Sequence, residues 1–268
     1  MPSVSNVAIG SNMAAAAASK ARHGMNESIA RLSTGIRAMY GGDAAGHSVG
    51  TVHNAESRSY AASTRNIEDA ISYAQTGESV LLEVANLAQR IRELGIADSG
   101  NELLDGNQTA ALDDEAAVLG NTIDDILDNT KFNGVEVVDS AASKSVSINY
   151  TGDTSAGAKR TTVGASQAVT AMNGLGDAGN ARALADTFLG TVALALGNIA
   201  ADLTALKAFQ GAASSTSANL AAASARILDT DYATETASLT KNSILNQAAL
   251  SMAAQANNAQ SAILSVLQ

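Results

Sequence analysis

The chain has 268 residues, a formal net charge of −10 and a pI of about 4.7, which excludes nucleic acid as the main partner, since that partner requires basic patches. It has no Cys and no Trp, one Pro, three Phe and five Tyr, so disulfides and thiolate chemistry are excluded. So few aromatics, set against abundant Ala, predict thin helix-to-helix seams in place of a thick globular centre.

Residues 1–19 carry no charged side chain and are rich in Ala, Ser and Asn. Their start lacks Lys and Arg, and Ser3, Ser5 and Asn6 stand where an apolar run should begin, so the segment is not read as a signal peptide. Helix is predicted over 1–40, with Met25, Ile29, Leu32 and Ile36 spaced 4-3-4. Lys20, Arg22, Arg31 and Arg37 against Glu27 make this segment +3, leaving −13 for residues 41–268. Gly41-Gly42-Asp43 then breaks the helix.

From 44 to 98 the pattern is one long helix, about 80 Å at 1.5 Å per residue. Its register is Ala70, Tyr73, Gly77, Val80, Val84, Leu87, Ile91 and Leu94, and Ser99-Gly100-Asn101 ends it. A third helix follows the Asp105-Gly106-Asn107 turn, with Leu112, Ala116, Leu119, Ile123 and Ile126 in register to about 129. The period then changes to that of strands. Asn133-Gly134 signals a hairpin turn, residues 145–150 alternate, and 160–163 are read as their partner. The hairpin region spans about 133–170, with loops at 152–157 and 164–180.

Helix returns over 181–227 on Val192, Leu196, Ile199, Leu203, Leu206, Ala213, Leu220 and Ile227, with Gln210, Ser217 and Ser224 as polar seam positions. Asp231 is the expected N-cap of the last helix. From 242 onward that helix has no charge, and its apolar positions step by four and three: Leu245, Ala249, Met252, Ala256, Ala259, Ile263 and Val266. Its other faces carry amides, which disfavour insertion in a bilayer. An apolar seam with an uncharged polar back suits burial among copies of the same chain. The expected fold is therefore mainly α: long antiparallel helical rods in a coiled-coil-like bundle, with a small β-hairpin region and paired N- and C-terminal helices. Arg31 and Arg37 are expected to pair with carboxylates at subunit contacts or at the hinge near Asp43.

No catalytic, cofactor or metal site emerges. Gly41, Gly46, His47 and Ser48 imitate a phosphate loop, but His stands in place of the required Lys and no strand precedes it. Asp43 and His47 stand one turn apart, while His53 would point well off that face. Asp113, Asp114 and Glu115, like Asp124, Asp125 and Asp128, read as a solvated acidic face.

Taken together the segments resemble bacterial flagellin. The resemblance rests on 30–37 (Ala-Arg-Leu-Ser-Thr-Gly-Ile-Arg), Asp43-Ala44-Ala45-Gly46, Gln89 to Leu94, Phe132-Asn133-Gly134-Val135, 229–235 (Asp-Thr-Asp-Tyr-Ala-Thr-Glu) and Ala254-Gln255-Ala256-Asn257. It covers roughly 20–138 and 190–268. Residues 7–18 depart from the family's larger apolar residues. The resemblance implies an inner domain of 1–42 with 229–268, and a rod domain of 43–228, in a minimal form without a separate outer domain. It implies a structural subunit that polymerises into the extracellular filament used for motility, and export by the flagellar type III apparatus without a cleaved signal. Implied partners are further copies of the chain, an export chaperone, and cap and hook-junction proteins. A vertebrate Toll-like receptor senses flagellins, and the matching positions are Gln89, Arg90, Glu93, Leu94 and, counted back from Phe132, Glu115. Rival readings are a hook–filament junction protein of the same plan and a soluble coiled-coil surface or signalling protein. The latter would carry charges along its terminal helices, and 242–268 has none.

Overall fold

Among the described residues the chain forms five helices and two short hairpins. In the computed structural model, which describes residues 2–38, 42–99, 101–138, 144–147, 160–163 and 178–267, the order is α1 (Pro2–Thr34), α2 (Ala44–Asp98), α3 (Gly106–Asn129), β1 (Lys131–Phe132), β2 (Val135–Glu136), β3 (Lys144–Ser147), β4 (Arg160–Val163), α4 (Ala178–Leu228) and α5 (Tyr232–Leu267). The expected loop at 152–157, most of that at 164–180, Gly41, Gly100 and the end of the strand predicted to reach 150 lie outside the described residues.

The first helix stops at Thr34 and does not run to 40. Gly35 adopts φ +72°, a left-handed conformation that costs Gly little, and its N–H closes the last turn on the Arg31 carbonyl at 2.8 Å. The α3 start is held by a capping box, with Asp105 accepting from the backbone of Asn107 and Gln108 and Gln108 returning the bond. Asn133 and Gly134, at φ 51° and 77°, make the tight turn joining β1 to β2, with Phe132 opposite Val135. β3 pairs antiparallel with β4, Lys144 opposite Val163.

The chain divides into two compact units: Met1–Ala55 with Asn219–Gln268, and Glu56–Ala218. Both divisions fall inside α2 and α4. The core of the second unit joins Ile67, Leu81, Val84 and Ile91 of α2, Ile123 and Leu127 of α3, and Val192, Ile199 and Leu206 of α4. Val80, Leu87, Leu119, Ile126 and Leu196, also in the expected register, pack at its edge. Tyr73 ties the first hairpin to this core: its hydroxyl donates to the Glu136 carbonyl at 2.8 Å and its ring meets Phe132 edge-on. The polar seam positions are satisfied: Ser217 and Ser57 each donate to the other's carbonyl, at 3.0 and 2.9 Å, the Gln210 amide donates to Glu68 at 3.1 Å, and the Ser224 hydroxyl donates to the Gly50 carbonyl at 2.9 Å. By length and composition alone Asn180–Leu228 could cross a bilayer. Val192, Ala195, Ile199, Leu203, Leu206 and Ala213 of that helix line this core, while Leu184 and Leu194 stay exposed.

Candidate functional site: the terminal helices and the breaks beside them

In the first unit α1 and α5 run antiparallel, with Gly24 against Asn242 and Arg31 against Glu235. The faces that meet are thin. On α1 they are Ala14, Ala18, Ala21, Met25, Ser28 and Leu32, and on α5 Leu239, Asn242, Asn246, Ala249, Ala253, Ala256 and Gln260, all buried or half-buried. Both sets step by three and four, so heptad packing is present. On α5, however, the register is not the expected one. Ala249 and Ala256 of the apolar seam face α1, whereas Leu245 is 48 % and Met252 60 % exposed, and Ala259 is exposed too. The side chains of Ile263 and Val266 lie outside the described residues. The reason is steric. A Cβ on Gly24 would stand 2.7 Å from the Asn242 amide nitrogen, so the helices approach closely at that level, where the slender Asn242 faces α1.

The displaced bulky residues border an open groove of about 640 Å³. Ala17, Ala21 and Gly24 form one wall, Leu245, Ala249 and Met252 the other, with Lys20, Lys241 and Glu27 at the rim. Elsewhere on the pair Ile9, Met13, Ile244 and Leu250 are half-exposed or more. Sequence reasoning passed over these four because it followed a single stripe per helix; plotting the opposite faces would have shown them.

Two chain breaks are stitched together beside the pair. Thr230 N–H donates to the Gly35 carbonyl at 2.9 Å and Arg37 N–H to that of Leu228 at 2.7 Å, around an Ile36–Asp229 bridge. The Arg37 guanidinium adds two bonds to the Ile227 carbonyl, at 3.2 and 3.1 Å, capping the end of α4, and one to Asp43 at 2.7 Å. Asp43 in turn accepts from the Gly46 N–H at 2.8 Å at the start of α2. Asp43 thus caps the start of α2. Arg31 lies 3.9 Å from Glu27 and 3.5 Å from Glu235, so both arginines pair within the chain. Asp231 caps α5 from Ala233 N–H and the Thr234 hydroxyl, at 2.9 and 2.7 Å.

These contacts carry a pH dependence. The Gly46 N–H, then the Arg37 guanidinium, hold the Asp43 carboxyl below the usual carboxylate range. The Thr234 hydroxyl and the following N–H groups do the same for Asp231. A carboxyl with a depressed pKa in the folded state contributes stability that is present above its unfolded value and lost as pH falls through the folded one. The expected result is that the acid unfolding midpoint of the Arg37→Gln subunit, followed by circular dichroism, lies above that of the parent. An unchanged midpoint would show that the clasp does not depend on the Arg37–Asp43 pair.

In the second unit Arg90 bridges α2 to α3, with Nη2 and Nε at 2.8 and 3.0 Å from Glu115 Oε1 and Nη1 at 3.3 Å from Glu93. Glu115, then Glu93, raise the pKa of the guanidinium further. Gln89 is exposed beside them. Leu94, the remaining matching position on α2, is not on this surface: at 3 % exposure it is buried. Leu82, Ile96 and Val118, 51 %, 52 % and 62 % exposed, are large apolar groups that α2 and α3 leave in solvent in this unit.

Comparison with known proteins places this architecture. Residues 5–143 match the bacterial flagellin N-terminal helical region and residues 199–267 the C-terminal helical region. The chain is 32 % identical over 245 residues to flagellin of Halalkalibacterium halodurans, covering 89 % of this chain and 90 % of that one. It is 30 % identical to Bacillus subtilis flagellin, covering 89 % and 91 %. It is also 30 % identical to the flagellar filament 33 kDa core protein of Treponema phagedenis, covering 91 % and 92 %. With both helical regions of the family present and only residues 144–198 between them, the chain belongs to the bacterial flagellin family, in a minimal form.

Proposed function

We propose that this chain is the structural subunit of an extracellular flagellar filament, and that it polymerises through its terminal helices. The observation that carries the reading is the groove beside the α1–α5 seam, with Leu245 and Met252 half-exposed or more at its edge. Full burial of such a side chain contributes roughly 1.5–3 kcal/mol, so every copy joined removes a recurring cost. Ile9, Met13, Ile244 and Leu250 lie outside the seam, where a further copy can meet them. A head-to-tail contact that does not close produces a helical polymer. Raising the concentration of purified subunit, with filament fragments as seeds, should give filaments by electron microscopy. Persistence of monomers under those conditions counts against the reading. Export without a cleaved signal, and engagement of an export chaperone, cap and hook-junction proteins, complete the proposed life cycle.

The face of Gln89, Arg90, Glu93 and Glu115 is proposed as the contact for a vertebrate Toll-like receptor. The support is an accessible Arg fork held in place by two carboxylates, a geometry suited to planar multi-donor recognition. Arg90→Ala should leave the helical content of the monomer intact and lower receptor signalling in a reporter-cell assay. Undiminished signalling would remove these four residues from any receptor role.

A further inference from the structure

Three Asn-x-Ser/Thr triplets occur in the chain, at Asn26, Asn107 and Asn149. This triplet is the acceptor pattern for N-linked sugars, which are attached at protein surfaces. The structure separates the two triplets it describes. Asn26 lies in the interior of α1, and its partner hydroxyl, Ser28, is 2 % exposed in the seam with α5. A transferase would have to unwind the helix and part the pair to reach both groups. Asn149 is outside the described residues.

Asn107 is different in each respect. It is exposed in the first turn of α3, directly after an exposed turn in which Leu103 is 93 % accessible. Its backbone N–H is bonded to Asp105 Oδ1 at 2.8 Å, so the cap engages its backbone while the residue stays exposed. Thr109 follows within the same turn, half-buried. Presenting Asn107 and Thr109 in extended form requires opening only the capping box of Asp105 and Gln108, at a helix end where fraying is least costly. The core residues of α3 begin beyond it, at Ala116.

We propose that Asn107 is an N-glycosylation site, modified by a transferase that uses a sugar activated at C1 as a diphosphate ester. The Asn107 Nδ2–C1 bond forms and the bond from C1 to the diphosphate oxygen breaks. The diphosphate leaves with the electron pair, and one amide proton passes to a base of the transferase. Thr109 is the recognition residue. Soluble nucleotide-linked and membrane lipid-linked donors share this chemistry, and the location of the modified chain distinguishes them.

The test is peptide mass spectrometry on the full-length protein taken from the cells that make it, comparing the cytoplasmic pool with the external one. The expected result is a sugar mass on the tryptic peptide that holds Asn107, lost in Asn107→Gln and Thr109→Ala and kept in Thr109→Ser. Circular dichroism of each variant controls for folding. Sugar in both pools identifies a nucleotide-linked donor, and sugar only outside identifies a lipid-linked one. An unmodified Asn107 peptide in both pools overturns the proposal, as does a sugar mass that survives Thr109→Ala.

Discussion

Leu245→Asp should abolish polymerisation while leaving a folded, helical monomer. Leu245 is 48 % exposed in the subunit and borders the groove instead of the seam, so the carboxylate remains hydrated as long as the chain is alone. Once a second copy covers the groove, an unpaired charge is taken out of water, at several kcal/mol per contact. That penalty recurs at every subunit, which is enough to remove filaments from electron micrographs at any accessible concentration. Met252→Asp, at 60 % exposure on the same wall, should behave alike. Asn246→Asp provides the contrast. It places the charge in the α1–α5 seam, so it should weaken the helix pair of the monomer itself. Normal filaments from the Leu245→Asp protein would show that the groove is not the contact between copies.

Leu81→Ala should have the opposite profile. Leu81 is fully buried among residues of α2, α3 and α4 in the second unit. Truncation removes apolar contact and leaves a cavity, costing about 2–5 kcal/mol. For a unit of this size the loss should appear as a clear fall in the thermal midpoint by circular dichroism. Below that midpoint the groove, which belongs to the other unit, is untouched, so filaments should still form. A midpoint within experimental scatter of the parent would mean that the core closes around the missing atoms far better than a helix bundle of this packing allows. The pair of variants separates subunit stability from assembly, which is the distinction the proposed function depends on.

The departures from the sequence reading share a cause. Helix α1 was expected to reach residue 40, because its apolar spacing continues to Ile36. It ends at Thr34 because Gly35 takes a left-handed conformation, a choice that spacing does not register. Leu94 was assigned both to the heptad and to a receptor face, and burial decided for the heptad. The breaks at 35–43 and 229–231 were each legible as punctuation. A partner for Arg37 near Asp43 was among the expectations for this hinge, but that Arg37 would also reach the Ile227 carbonyl was not legible, because that partner lies 190 residues away.

By itself the sequence determined what depends on local period and local chemistry. Helical spacing marked five helices, Asn133-Gly134 marked a two-residue turn, and Asp231 marked the start of α5, since each is set by interactions within a few residues. Absence of charge in the terminal segments marked them for burial. Only the tertiary structure decided which face of α5 meets α1. Leu245, Met252 and their neighbours satisfy a heptad as well as Asn242, Asn246 and Ala249 do, so the pattern alone is degenerate. The choice follows the width of the gap where Gly24 stands, with Ala18 and Ala21 on the same face: there the slender Asn242 and the small Ala249 face α1, and Leu245 and Met252 are turned outward to border the groove.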